Sequence, residues 1–168
     1  MERLPPCSPA FCCPPPENPD GWVYGDCYLP PVLAETPSDI PGAETEYSLF
    51  FTENYKNYKY DSLVRYAIRK DGFVSLYAGG TPEKIVTKPF TYTGEALYVN
   101  IATSARGGAY FRLRSEDGEE AVSYEVFGDS TDKRVHFEDE EIVKRLAGKA
   151  VTLEIEMLDG NLYALRFA

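Results

Sequence analysis

The side chains best suited to chemistry in this sequence are aromatic and cationic groups on two candidate strands. Tyr98, Tyr110 and Arg112 occupy positions that alternation places on the outward faces of these strands. Aromatic rings beside a guanidinium form platforms on which sugar rings stack, and they also form ordinary cross-strand pairs. The sequence therefore predicts a ligand-binding surface here, with cross-strand packing and docking of a neighbouring domain as the alternatives.

Residues that could perform catalysis are not spaced as an active site requires. Asp129 could bind a cation or a sugar hydroxyl, but Asp in a Gly-Asp-Ser-Thr segment more commonly caps backbone amides in a turn. His136 alternates outward and has no Ser or Cys nucleophile pattern beside it. The acidic residues 138–141 favour a solvated turn that caps a short helix. We therefore predict no catalytic residue in this chain.

The cysteines do not match a metal site. All four precede the strand-rich region, and they are Cys7, Cys12, Cys13 and Cys27. A zinc site favours paired Cys-x-x-Cys elements, whereas two of these cysteines are adjacent and the single His136 lies far away. Disulfides would require an oxidising compartment. We predict free thiols, no metal and no cofactor.

The elements that must position these side chains are short alternating strands. Period-two alternation runs through residues 71–168, and turn signals such as Asp71-Gly72, Asp117-Gly118 and Asp159-Gly160 interrupt it. Strands at this spacing predict an antiparallel β-sandwich, of jelly-roll or concanavalin-like type. Residues 139–147 alone have helical character.

Several strand assignments follow from the alternation. We expect Val122, Tyr124 and Val126 to share one apolar face. The turn signal at Asp159-Gly160 is expected to lead into a further strand with Tyr163, Leu165 and Phe167 on one face. The strands predicted around it are 97–101, 109–113 and 151–157.

The sequence before the sandwich divides into two parts. Residues 1–21 are Pro-rich and predict an extended or disordered arm, since each Pro removes a backbone donor and restricts its neighbour. Residues 22–70 contain a looping segment and strands, of which 46–70 form a predicted hairpin. The predicted domains are therefore an arm at 1–21, a strand-containing segment at 22–70 and a sandwich at 71–168.

An apolar surface is expected on the segment before the sandwich. Phe50 breaks the alternation, because it places an aromatic ring on the face opposite the other apolar residues of its strand. A strand that is apolar on both faces is normally covered on both faces. We expect this surface to self-associate, to bind an upstream domain, or to leave residues 1–60 loosely ordered. Its candidate residues are Trp22, Tyr24, Leu49, Phe50 and Phe51.

Composition excludes some partners. The net charge of −10 repels phosphate backbones, so nucleic acid is not an expected partner. No stretch is long and apolar enough to span a bilayer, so no membrane is expected. The first residues lack the apolar core of a signal peptide, which leaves the cytoplasm as the default location.

The sandwich region resembles the C-terminal β-sandwich module of five-bladed β-propeller glycoside hydrolases of families 32 and 43, in particular bacterial relatives. The resemblance covers residues 62–168, and residues 22–61 resemble the closing segment of the propeller that precedes such a module. The segments that carry it are 69–75, 87–90, 99–104, 128–130 and 162–167, with Tyr24-Gly25-Asp26 and 46–51 in the propeller-like part.

The resemblance implies a role without catalysis for this chain. The propellers of this family carry three acidic residues around a central pocket, and these residues come from early blades that the chain does not contain before residue 22. Hydrolysis needs two carboxylates at a fixed separation across the glycosidic bond. The resemblance therefore implies an accessory module that braces or completes a carbohydrate-active propeller. The alternative is a stand-alone carbohydrate-binding module that uses Tyr98, Tyr110 and Arg112, and a small enzyme is the least favoured hypothesis.

Overall fold

The computed structural model describes residues 33–38, 43–53 and 62–168, apart from the side chains of 51–53 and 62. Nearly all regular structure in these residues is β-strand, and the two sheets are mostly antiparallel. The predicted all-β, sandwich-like fold is therefore confirmed. The predicted arm at 1–21 lies outside the described residues.

The described residues divide into two compact units. The smaller contains residues 33–36, 46–53 and 62–68, and the larger contains 37–38, 43–45 and 69–168. The proposed domain boundaries remain predictions.

The first sheet has three strands in the order β1-β2-β3. The strands are β1 (Ala34–Pro37), β2 (Thr45–Glu53) and β3 (Ser62–Arg69). β2 is the central strand, and its pairing with β3 agrees with the predicted hairpin at 46–70. Along β3, half-buried Val64, Tyr66 and Ile68 alternate with exposed neighbours, as the sequence pattern predicts.

The second sheet is built on two long antiparallel strands. Pairing runs from Leu97 opposite Phe167 to Ser115 opposite Val151. Four short strands and one helix complete the unit. In chain order the elements are β4 (Leu76–Ala78), β5 (Glu83–Val86), β6 (Leu97–Ser115), β7 (Glu120–Val122), β8 (Asp129–Val135), α1 (Glu140–Leu146) and β9 (Val151–Phe167).

The pair β6–β9 is interrupted near its middle. The register shifts between Thr103 and Gly108, opposite Gly160 and Leu158, and Asp159 between them has a φ of 45°. β8 and β4 flank the half with the N-terminal part of β6, whereas β7 and β5 flank the other half. The irregularity therefore divides one continuous strand pair into two four-stranded halves.

One hydrophobic core unites the two halves. Apolar side chains alternate along both long strands and form a single buried cluster. Members of this cluster that are 2% exposed or less include Leu97, Val99, Ile101, Phe111, Leu113, Val151, Leu153 and Ile155. Both halves therefore contribute side chains to the same core.

The helix α1 begins where the acidic turn was predicted. The Asp139 carboxylate accepts a hydrogen bond of 3.0 Å from the backbone N–H of Glu141, which caps the first turn. Val143 and Leu146 are fully buried against the core. Among the described residues, no helix is long and apolar enough to cross a membrane.

Three strand predictions were wrong in detail. The predicted strands around 97–101 and 109–113 are one strand, and Asp159-Gly160 is an irregularity inside β9 instead of a turn. This irregularity shifts the alternation, so Leu162 is buried and Leu165 is 39% exposed. In the segment after β7, Tyr124 is 58% exposed, because Ser123 faces inward and its hydroxyl accepts from the Phe111 N–H at 2.8 Å.

Candidate functional site

The larger unit contains a cavity of about 650 Å³ beside the N-terminal half of β6. All residues that line it belong to this unit. The strands β6, β8 and β9 and the turn after β3 supply most of its polar side chains. They include Lys70, Asp71, Tyr98, Asn100, Asp132 and Arg166.

Asn100 is the buried polar side chain of this cavity. The residue is 3% exposed, and its Nδ2 donates to the backbone oxygen of Lys70 at 2.6 Å. A carbonyl oxygen accepts but never donates, so this bond fixes which end of the amide is the nitrogen. The opposite end, Oδ1, is buried and has no hydrogen-bond partner. One end of this amide is therefore bonded to the backbone, and the other is a buried acceptor without a donor.

A stacked ion pair forms one side of the cavity. The Arg166 guanidinium lies over the Tyr98 ring, 4.3 Å from its centroid. Arg166 Nη2 also donates to both carboxylate oxygens of Asp132, at 2.9 and 2.8 Å. This arrangement holds the aromatic ring and the carboxylate in defined positions.

The other two predicted ligand-binding residues lie on a different part of β6. Tyr110 is 47% exposed and stands opposite Glu156, whereas Tyr98 stands opposite Arg166 at the other end of β9. Arg112 is held by Glu120 Oε1 at 2.7 Å and Glu154 Oε1 at 3.2 Å. The register thus places Tyr110 and Arg112 together and Tyr98 twelve positions away, beyond the irregularity at 103–108.

Asp129 does not cap a turn, which corrects the interpretation drawn from its neighbours. It lies at the start of β8, and its Oδ1 accepts from Arg69 Nη1 at 2.8 Å. The Arg69 side chain is only 10% exposed, and its guanidinium lies 4.5 Å from the Tyr163 ring centroid. This carboxylate therefore partners a buried cation in the larger unit.

A second feature lies on the first sheet, in the smaller unit. Arg65 Nε donates to Ser48 Oγ at 2.7 Å, and its Nη2 donates to Thr36 Oγ1 at 3.0 Å and to Glu46 Oε1 at 2.5 Å. Alternation places Phe50 on the same face as Ser48, and Leu63 on the same face as Arg65. We call this surface the first-sheet face, defined by Thr36, Glu46, Ser48, Phe50, Leu63 and Arg65.

The first-sheet face combines a fixed polar network with exposed apolar side chains. Phe50 is 38% exposed and Leu63 is 72% exposed. Leu49, also predicted for docking, points to the opposite face and is 4% exposed. Trp22 and Tyr24 lie outside the described residues, as does the side chain of Phe51. Of the predicted docking residues with described side chains, Phe50 is therefore the exposed one.

The carboxyl groups with shifted pKa values are all shifted downward. In Glu119, Glu154 and Asp159 the largest contribution to the pKa shift is a hydrogen bond from a basic side chain. In Glu140 the largest contribution is desolvation, which raises the pKa, and the hydrogen bonds from Phe137, His136 and Arg134 together with the charge of Arg134 outweigh it. A general acid in glycoside hydrolysis needs a raised pKa, so these groups are unsuited to that role. The four are Glu119, Glu140, Glu154 and Asp159.

Possible metal ligands do not cluster in the part of the chain that the structure describes, where no group of three His, Cys, Asp or Glu side chains could hold an ion. The His136 side chain is 64% exposed and contacts Glu140 at 3.2 Å, in agreement with its predicted outward position. The four cysteines lie outside the described residues, so their state remains a prediction.

Comparison with known proteins gives no match, whether to family models, to curated proteins or to solved structures. The resemblance to the sandwich of glycoside hydrolases therefore rests on the quoted sequence segments alone.

The sequence analysis identified some of the residues of the cavity and of the first-sheet face and missed others. Tyr98 and Phe50 were singled out, but Arg65, Asp132 and Arg166 were not. Their hydrogen-bond partners lie 17 to 34 positions away along the chain, so no local spacing marks them. The bond of Asn100 is likewise distant, since its nitrogen donates to Lys70, 30 positions away, and no local signal marks its unpaired oxygen.

Proposed function

We propose that this chain is a non-catalytic accessory β-sandwich of a glycoside-hydrolase-like protein, and that it docks on a carbohydrate-active β-propeller domain through the first-sheet face. The observation that carries the proposal is the exposure of Phe50 and Leu63 beside a fixed guanidinium on one sheet face. Aromatic and Arg side chains are enriched at the centres of protein interfaces.

The polar network of this face favours docking to a folded partner. Arg65 bonds to three side chains on two other strands, so its guanidinium is held in place before a partner arrives. An ordered side chain loses less conformational entropy on binding than a free one. Arg65 is also paired with Glu46, which makes a largely apolar partner surface a better complement than a strongly charged one.

The kind of partner protein is inferred from the resemblance of the sequence to this family. Residues 22–61 resemble the closing segment of a propeller, and this range includes Phe50 and most of the first-sheet face. The downward pKa shifts of Glu119, Glu140, Glu154 and Asp159 support the non-catalytic part of the proposal.

A binding measurement tests the docking. The full chain is titrated against the five-bladed propeller protein of family 32 or 43 type encoded nearest to it in the same genome. We expect a specific complex, and Phe50→Ser with Leu63→Ser should weaken it by about tenfold or more, since truncation of interface anchors commonly costs above 1 kcal/mol.

The matched control is Tyr124→Ser, which removes another exposed aromatic ring from the larger unit. It should leave the affinity unchanged. Equal binding by the double variant and wild type, or no complex with the propeller protein, would overturn the docking. Hydrolysis of sucrose, fructan or arabinan by the purified chain would overturn the non-catalytic assignment.

A further inference from the structure

We propose that Asp117 is a site of slow covalent modification, at which the Asp117-Gly118 pair rearranges to a β-linked aspartate, or isoaspartate. Three of the four Asp-Gly pairs in the sequence lie in the larger unit, at 71–72, 117–118 and 159–160, and the pair at 20–21 lies outside the described residues. The three share the same local chemistry, so the fold decides which of them reacts. This inference goes beyond the docking proposed above and does not depend on it.

The rearrangement needs no reactant other than water. The glycine backbone nitrogen attacks the carboxyl carbon Cγ of the preceding aspartate, a C–N bond forms, and the Cγ hydroxyl leaves with the amide proton as water. Water then adds to either carbonyl of the five-membered imide and breaks one C–N bond. Cleavage at Cγ restores aspartate, whereas cleavage at the main-chain carbonyl gives isoaspartate and lengthens the backbone by one carbon atom. Glycine favours the attack because no side chain obstructs its nitrogen.

The Asp117-Gly118 pair is free to make this movement. It lies in the turn between β6 and β7, and the Asp117 side chain is 78% exposed, with Lys149 Nζ 4.0 Å from its carboxylate. A Cβ atom added at Gly118 would meet nothing within 4 Å. The Gly118 N–H donates to the Ser115 backbone oxygen at 3.2 Å, the long end of the ordinary range. Rotation toward the carboxyl group therefore costs this nitrogen one turn hydrogen bond.

The Asp159-Gly160 pair is restrained at both of its reacting groups. Asp159 Oδ2 accepts from Arg106 Nε at 2.8 Å and from Ser104 Oγ at 2.7 Å, and these bonds lower the pKa of the carboxyl group. A hydroxyl leaves as water more readily from a neutral carboxyl group than from a carboxylate, so the lowered pKa slows the reaction. Gly160 is paired with β6 on one side and with β4 on the other. Its nitrogen can reach Cγ only if the sheet opens.

The Asp71-Gly72 pair is exposed, but its turn is anchored to buried groups. The Gly72 N–H donates to the Arg69 backbone oxygen at 3.0 Å, and Asn100 Nδ2 donates to the Lys70 backbone oxygen at 2.6 Å. The Arg69 side chain is only 10% exposed, and a Cβ atom at Gly72 would clash with it. Movement of this pair would displace these groups, so it should react more slowly than Asp117.

Ageing of the purified full chain tests the proposal. The protein is incubated at neutral pH and body temperature for several weeks. Peptide mapping then measures isoaspartate at each pair, using endoproteinase Asp-N, which does not cleave before isoaspartate, and electron-transfer fragmentation. We expect isoaspartate to form at Asp117 about tenfold faster or more than at Asp159, because a tenfold difference requires only about 1.4 kcal/mol of additional opening free energy in the strand pair.

The same chain in urea is the matched control, since unfolding removes the restraints from all three pairs. The ratio of the native rate to the rate in urea is compared for each pair, which cancels the effect of neighbouring residues. Asp117→Glu should abolish the signal at this position, because the imide would need a less readily formed six-membered ring. The proposal is overturned if this ratio for Asp71 or Asp159 equals that for Asp117, or if folding suppresses isoaspartate at Asp117 by more than about tenfold.

Discussion

Tyr92 shows how one buried polar group connects separate elements of the sandwich. Its ring stacks on Phe167 with centroids 3.9 Å apart, and its hydroxyl donates to the backbone oxygen of Val143 in α1. Burial raises the pKa of Tyr92 to about 12. One side chain thus joins the helix to the end of β9, and its neutral form is required for the hydrogen bond.

Replacing Tyr92 with Phe should lower the free energy of unfolding by about 1 kcal/mol near neutral pH, because the Val143 oxygen loses its donor. The pH dependence should differ as well. The pKa is higher in the folded chain than its ordinary value of 10.0, so its contribution to stability is present below pH 10 and is lost as pH rises toward 12.

Urea unfolding of the wild type and Tyr92→Phe across this alkaline range measures the effect. The difference in stability between the two proteins should shrink as pH rises. A constant difference up to about pH 12 would contradict the assignment of this titration to Tyr92.

The irregularity in β6 and β9 brings the backbones of the two strands into close contact. A Cβ atom added at Gly107 would clash with the backbone oxygen of Asp159 and would lie 2.7 Å from the backbone oxygen of Leu158. A backbone oxygen cannot move aside as the end of a flexible side chain can. Glycine is therefore required at this position by contact with the opposite strand.

Gly107→Ala should destabilise the fold by about 2–3 kcal/mol, because the strand pair must separate to admit the methyl group. Gly79→Ala is the matched control. A Cβ atom there would meet only the Tyr77 ring edge and hydroxyl at 3.8–3.9 Å, which is ordinary contact, so its stability should change by less than about 1 kcal/mol. Urea denaturation compares them, and equal midpoints would refute the role of close approach.

Ion pairs with basic side chains offset part of the large negative charge of the molecule. The chain carries 27 acidic and 17 basic residues, and the described carboxylates with resolved shifts have lowered pKa values. Glu154 is held by Lys84 at 2.7 Å and Arg112 at 3.2 Å across neighbouring strands. Such carboxylates contribute stability above their ordinary pKa, and this contribution is lost as pH falls.

We therefore expect acid to destabilise the wild type below about pH 4.5, the ordinary pKa of a glutamate. In this range the unfolded chain binds protons more readily than the folded chain, in which these carboxyl groups have lowered pKa values. Glu154→Gln should lose less stability over the same acid range. Glu116→Gln, in the exposed turn after β6, should retain the wild-type acid dependence. Thermal unfolding midpoints between about pH 7 and 3 provide the measurement, and identical acid dependence for all three proteins would contradict the prediction.

The fold class was predictable because alternation depends only on local sequence. Leu97, Val99 and Ile101 face the core because side chains alternate along a strand wherever it lies. The helix at 140–146 was likewise predictable, since Asp139 and the acidic first turn are local capping signals. Tyr124 was misassigned because its direction depends on bonds from Ser123 and Tyr124 to other strands.

The sequence alone determined the all-β class, the position of the helix and the face of β2 on which Phe50 lies, because each follows from residues within a few positions of one another. The tertiary structure alone decided that Asp159-Gly160 lies within a strand, that Tyr98 and Tyr110 are apart, and that Asn100 Oδ1 has no donor. These features depend on register and on partners distant along the chain. Pairing over such distances is set by the packing of the whole sandwich, which local periodicity does not record.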